Sequence, residues 1–169
     1  DREMRGRYGA ICFKGHHGGA RSRACRHTQC LSHAAQNSAL ARLAHEETGY
    51  GVVADKVQKN LFASEKIYKF IRPMKTVGVI RRLEDRKVIE IADPFGVVCA
   101  IVPTTNPTST AIYKTLVSLK AGNAIVISPH PRAYRCTCET AQVLYRAALE
   151  AGAPEDVIQC VETATIEGT

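Results

Sequence analysis

Two regimes of hydrophobic patterning alternate along the chain from residue 94 onward. Val97 to Val102 is an unbroken apolar run between Gly96 and Pro103. Such a run reads as a strand buried on both faces, as in a parallel sheet. Thr104, Thr105 and Asn106 follow at once, and then Pro107. A residue before proline is pushed away from helical geometry, so Asn106 is expected to be extended. Proline suits a first helical turn, and Thr105, Asn106 or Thr108 can cap that turn. Ile112, Leu116 and Leu119 then recur on one helical face, and Gly122 offers a left-handed C-cap. Ala124 to Ile127 is a second apolar run. The order strand, polar turn, helix, strand is that of one βαβ unit.

Weaker patterns flank this unit. Asn37 or Ser38 can cap a helix carrying Leu40, Leu43 and Ala44 and ending near Gly49 and Gly51. Asp55 with Gln58 resembles a capping box for a second helix. That helix has Val57, Leu61, Tyr68 and Ile71 on one side, Lys56, Lys59, Lys66 and Lys69 on a solvated face, and Pro73 as its stop. Thr76–Ile80 and Lys87–Ala92 flank a charged turn, Arg81 to Arg86, and read as a hairpin. Downstream, a helix is predicted over about Ala133 to Ala151, with Ala141, Leu144 and Ala148 inward, followed by a strand over Val157 to Val161. The fold class is therefore α/β: a partial parallel sheet with flanking helices, preceded by two helices and a hairpin.

Charge changes the picture at one end only. The chain of 169 residues carries a net +7, which invites a nucleic-acid reading. Residues 1–37 hold seven Arg and Lys against Asp1 and Glu3, so this arm supplies +5 and the remainder is near neutral. The arm is rich in glycine and has no helical or strand period, which predicts disorder. It also holds Cys12, Cys25, Cys30, His16, His17, His27 and His33. A zinc set drawn from Cys25, Cys30, His33 and one of Cys12, His16 or His17 is conceivable, but no paired Cys-x-x-Cys occurs. The domain organisation that follows is an irregular basic arm over 1–37 and an α/β unit over 38–169. No apolar run reaches ~18 residues and no secretory signal pattern occurs, which points to the cytoplasm and away from a membrane. Seven cysteines, an odd number, fit free thiols better than a disulfide framework.

Ligands of an open parallel sheet bind outside the carboxyl ends of its strands. Two such ends are 103–107 and 128–131. Each carries prolines and small polar residues, and the helix N-terminus behind Pro107 directs free N–H groups there. His130, held between Pro129 and Pro131, is open to three readings: a general base, a phosphate or ring contact, or a surface loop residue.

The stretches Pro-Thr-Thr-Asn-Pro-Thr-Ser-Thr (103–110) and Leu-Lys-Ala-Gly-Asn-Ala-Ile-Val-Ile-Ser-Pro-His-Pro-Arg-Ala (119–133) closely resemble the CoA-acylating branch of the aldehyde dehydrogenase superfamily. That branch includes the aldehyde half of bifunctional aldehyde–alcohol dehydrogenases. His45-Glu-Glu-Thr-Gly-Tyr-Gly51, Asp55-Lys-Val-Gln-Lys-Asn60, Phe62-Ala-Ser-Glu65 and Ala151-Gly-Ala-Pro-Glu-Asp-Val-Ile158 are similar to the same family. The resemblance covers about 38–169 and leaves 1–37 outside.

The resemblance implies a Rossmann-like domain that binds NAD or NADP. It implies an oxidoreductase that converts a small aldehyde and coenzyme A to an acyl-CoA through a cysteine thioester. It matches Asn106 to the asparagine that holds the oxyanion. It matches Val102, Pro103, Thr104 and Thr105 to the nicotinamide side, and Ser128, Pro129, His130 and Pro131 to the segment under the adenine ribose. Ser128 stands where hydrolytic relatives carry lysine. The family's nucleophilic cysteine falls beyond Thr169, and Cys99 sits mid-strand, where a thiol is expected to be a packed, inert hydrophobe. The chain is thus expected to be the N-terminal part of such an enzyme, inactive by itself, with a homo-oligomeric parent and neither metal nor nucleic acid. The opposed readings are a basic-armed nucleic-acid or metal-binding module on an α/β scaffold, and a non-functional fragment.

Overall fold

A computed structural model describes residues 34–163 and 165. The conceivable zinc set and residues 1–33 of the basic arm lie outside that range, whereas residues 34–37, expected to be disordered, are helical.

Helix α1 (Ala34–Thr48) opens the described chain. It begins before the predicted caps, so Asn37 lies inside it and is fully buried, while Leu40, Ala41 and Ala44 pack inward. Gly49 and Gly51 follow with φ of 70° each, the left-handed backbone that ends and turns the chain at little cost only for glycine. Helix α2 (Val53–Leu61) runs through a π-helical turn (Phe62–Lys66) into α3 (Ile67–Ile71). The capping box at Asp55 does not form, because the helix starts at Val53 and its N-cap, Val52, makes no side-chain capping bond. The face turned inward also differs from the expected one. Lys56, Asn60, Ser64, Tyr68 and Ile71 are buried, whereas Val57 and Leu61 are only half-buried. Lys59, Lys66 and Lys69 lie exposed as expected; Lys56 does not.

The hairpin forms from β1 (Gly78–Leu83) and β2 (Val88–Ala92), paired antiparallel. The first strand runs on through Arg81, because Arg81 sits opposite Glu90 and binds it with two hydrogen bonds of 3.0 and 2.7 Å. The turn shrinks to a 3₁₀ segment, Glu84–Arg86, closed by Lys87 in the left-handed region.

The remaining strands, β3 (Val97–Val102), β4 (Ala124–Pro129) and β5 (Ile158–Cys160), form a parallel sheet in that spatial order. Helix α4 (Pro107–Lys120) joins β3 to β4, and α5 (Tyr134–Glu150) joins β4 to β5. Both crossovers advance the same way across the sheet, so right-handed connections put α4 and α5 on one face, where they pack on each other. Ile112, Leu116 and Leu119 of α4 meet Ala100, Val102, Ile125, Ile127 and Leu144 there in one apolar core. Gly122 ends α4 at φ 81°.

Two expectations about this sheet need correction. Strand β3 is not buried on both faces. Among the described residues it is an edge strand, and Val97, Cys99 and Ile101 are exposed on the face opposite the helices, with Ile101 62% exposed. Cys99 is therefore a surface thiol rather than a packed one. The cysteines are also not all free, since Cys138 on α5 and Cys160 at the end of β5 form a disulfide with a Cα–Cα separation of 5.7 Å. Cys136 and Cys138, two apart on one helix, face different ways and do not pair. Among the described residues, no helix is long and apolar enough to cross a membrane, and no group of three metal-ligating side chains occurs.

Candidate active site

The parallel register sets the strand ends level. Val102 pairs with Pro129, and Ile127 with Cys160, so the turns after β3, β4 and β5 share one end of the sheet. Val102 directs its side chain into the core and leaves only its backbone to the open end. Pro103 and Thr105 are exposed there, and Thr104 is half-buried.

Asn106 occupies the N-cap position of α4 with φ −138° and ψ 58°. The following proline keeps it out of helical geometry, but ψ stops short of the extended value expected from sequence. Its carbonyl accepts from Thr110 N–H at 3.1 Å and so opens the helix. Its side chain makes no capping bond. Instead Asn106 Oδ1 accepts from Lys59 Nζ at 3.0 Å, and Asn106 Nδ2 donates a long bond of 3.5 Å to Thr105 Oγ1. One amide proton is left over. An asparagine spared from capping, with a proton to give, can act as a donor to a ligand atom.

The neighbouring helix secures this turn from below. Lys56 Nζ donates to the Thr105 carbonyl at 3.2 Å. Burial, and then the like charge of Lys59, hold the Lys56 pKa below the usual lysine value. Thr108 Oγ1, in the first turn of α4, donates to the buried Asn60 Oδ1 at 2.8 Å. Lys56, Asn60 and Ser64 recur at i, i+4 and i+8. Of that polar stripe, Lys56 and Asn60 fix the strand-end loop, while Ser64 Oγ donates back to the Asn60 carbonyl at 2.9 Å. The stripe's spacing was the available signal, since a solvated reading of Lys56 ignores Asn60 and Ser64 on the same face.

A groove of about 430 Å³ adjoins the turn. Asn106, Lys59 and Ser109 form its polar part, and Phe62, Ile67 and Tyr113 are among its apolar walls. Phe62 is 60% exposed, an apolar ring held at a groove mouth rather than in the core.

The turn after β4 is built differently. His130 is exposed and extended, at φ −66° and ψ 140°, and its Nδ1 accepts from Arg132 N–H at 3.1 Å. In the neutral ring this places the proton on Nε2, which faces away from the turn's own bond. Ser128 and Pro129 are buried and Pro131 is exposed. The N-terminus of α5 receives Glu47, whose Oε1 and Oε2 accept from Arg135 N–H and Cys136 N–H at 2.8 and 2.7 Å. Sequence reading assigned Glu47 no role, because its partners lie 88 and 89 residues away. Burial, followed by the bond to Glu47, pushes the Cys136 thiol up to about 12, so it is no nucleophile at neutral pH.

A model described as the aldehyde dehydrogenase family matches residues 21–168. The chain belongs to that family. The match takes in residues 21–37 of the basic arm, all of which the resemblance read from sequence places outside the family. Among curated relatives, the bifunctional aldehyde-alcohol dehydrogenase AdhE of Escherichia coli K12 is 51% identical over 128 residues, 76% of this chain and 14% of that protein. Among solved structures, an acetylating aldehyde dehydrogenase from Geobacillus thermoglucosidasius superposes with a TM-score of 0.89 at 41% identity, over 99% of this chain and 36% of that one. A propionaldehyde dehydrogenase from Rhodopseudomonas palustris, with bound CoA and an acylated cysteine, gives 0.78 at 29% identity over 95% of this chain and 36% of that one. The chain thus spans about a third or less of each of these relatives.

Proposed function

We propose that this chain is a portion of a CoA-acylating aldehyde dehydrogenase, converting an aldehyde, NAD(P) and CoA to acyl-CoA and NAD(P)H. The observation that carries the reading is the side chain of Asn106. It stands at a helix N-cap yet does not cap, and it offers an amide N–H at a strand end beside an apolar-walled groove.

In this reading the aldehyde lies along the groove with its carbonyl oxygen toward Asn106. A cysteine thiolate from outside residues 34–163 attacks the carbonyl carbon. As negative charge develops on the oxygen, the free Asn106 Nδ2 proton and the N-terminus of α4 stabilise it. A bound dinucleotide would supply the hydride acceptor, and a CoA thiol would take the acyl group and release the cysteine. In this reading a dinucleotide lies across the level ends of β3 and β4, with the Val102–Thr105 segment on its nicotinamide side and the Ser128–Pro131 segment, of which His130 and Pro131 are exposed, on its adenine-ribose side. A homo-oligomer is the expected state of the parent enzyme.

Product analysis tests this reading. The intact enzyme carrying this segment, given acetaldehyde, NAD and CoA, should yield acetyl-CoA in step with NADH, and Asn106→Ala should slow both. Free acetate formed at the same rate without CoA would make the protein a hydrolytic relative instead.

A further inference from the structure

We propose that Lys59 is a positioning residue for Asn106, presenting its amide N–H to the reacting oxygen. The inference rests on the reading of Asn106 given above. A carboxamide has two ends of nearly equal shape, one accepting and one donating, and rotation of the terminal torsion by half a turn exchanges them. Such a group serves as an oxyanion donor in only one of the two orientations. Lys59 Nζ lies 3.0 Å from Asn106 Oδ1. An ammonium has three donors and no acceptor, so it tolerates only the oxygen end of the amide. The nitrogen end is thereby turned away from Lys59, toward Thr105 and the open strand end. The positive charge also polarises the amide, which makes its N–H a better donor.

The geometry is held from one helix. Lys56, three residues before Lys59 on α2, donates to the carbonyl of Thr105, the residue before Asn106. Backbone and side chain of the donor are thus gripped from the same helical face. Lys59 also borders the groove with Asn106. A lysine on a merely solvated face would have no reason to point its ammonium there.

The test compares Lys59→Ala, Lys59→Arg and Lys59→Glu in the intact enzyme, each alone and with Asn106→Ala, by single-turnover thioester formation. Lys59 is exposed, so all three variants should fold, which melting temperature checks. Lys59→Ala should lose about tenfold in rate, the size set by one hydrogen bond to a charged partner. Lys59→Arg keeps a cationic donor and should recover most of the rate. Lys59→Glu accepts rather than donates, so it should draw the amide N–H toward itself and lose more than Lys59→Ala. All three effects should vanish on the Asn106→Ala background, and NAD affinity should stay at the parent value. A parent rate in Lys59→Ala, or an equal loss with and without Asn106, would overturn the inference while leaving Asn106 in its role. Asn106→Ala reacting at the parent rate would overturn the role itself, and the inference with it.

Discussion

The turns after β3 and β4 look alike in sequence and do opposite work. Each places a polar residue before a proline, Asn106 before Pro107 and His130 before Pro131. At the β4 turn the polar side chain serves the turn itself, since His130 Nδ1 accepts from Arg132 N–H two residues on. The helix that follows is capped from a distance by Glu47. At the β3 turn the polar side chain does not cap its helix and makes only a long 3.5 Å bond within the turn, from Asn106 Nδ2 to Thr105 Oγ1. Asn106 leaves its helix uncapped by its side chain, and two lysines of α2 hold the loop in place. A side chain that gives up the capping bond, while one lysine holds its oxygen and another the carbonyl before it, is in our proposal kept for a ligand. One that satisfies its own turn is explained by the turn.

Substitutions can break this contrast or sharpen it. The largest effect is expected from Asn106→Asp in the intact enzyme. A carboxylate cannot donate and repels the developing oxyanion, so thioester formation should fall beyond the roughly hundred- to thousandfold typical of losing one donor. Stopped-flow measurement of NADH formation reads this directly. Thr108→Val should leave Asn60 buried with neither amide atom paired, because Asn60 Nδ2 already lacks a partner among the described residues. Denaturant unfolding should show a loss of about 1–3 kcal/mol. Glu47→Ala removes both carboxylate bonds from the α5 N-terminus and should cost about 1–2 kcal/mol of stability by the same method, without a change in rate per folded molecule. His130→Ala should be mildest, about 0.5–1 kcal/mol for one exposed turn bond. It should weaken NAD binding and spare the chemical step, and calorimetric titration would expose the reverse pattern.

The sequence was most legible where one local rule decided the outcome. The bounds of β3, the inward face of α4 and the left-handed Gly122 all follow from unbroken runs, a 3.6-residue period and a missing Cβ. Reading failed where partners lie far along the chain. Lys56 looks like any surface lysine until Thr105, 49 residues away, supplies its acceptor. Cys138 and Cys160 meet only because α5 folds back on β5. The exposure of Cys99 reflects which sheet face the helices cover, since an apolar run is the same string whether one face of its sheet is covered or both. At the site itself, the position of Asn106 was readable from the proline after it. Its freedom from capping was not, because Thr105, Asn106 and Thr108 were equally good caps on paper and only the contacts of Lys59 and Asn60 separate them.

The central claim is that Asn106 is a donor to the reacting oxygen and not a helix cap. Asn106→Ala in the intact enzyme, followed by both single-turnover thioester formation and melting temperature, tests it most directly. The account predicts a rate lowered by about a hundred- to thousandfold, with unchanged NAD affinity and a melting temperature at the parent value. A capping residue would behave in the opposite way, costing about 1 kcal/mol of stability and leaving the folded enzyme's rate intact. A variant that melts lower and reacts at the parent rate would contradict the account.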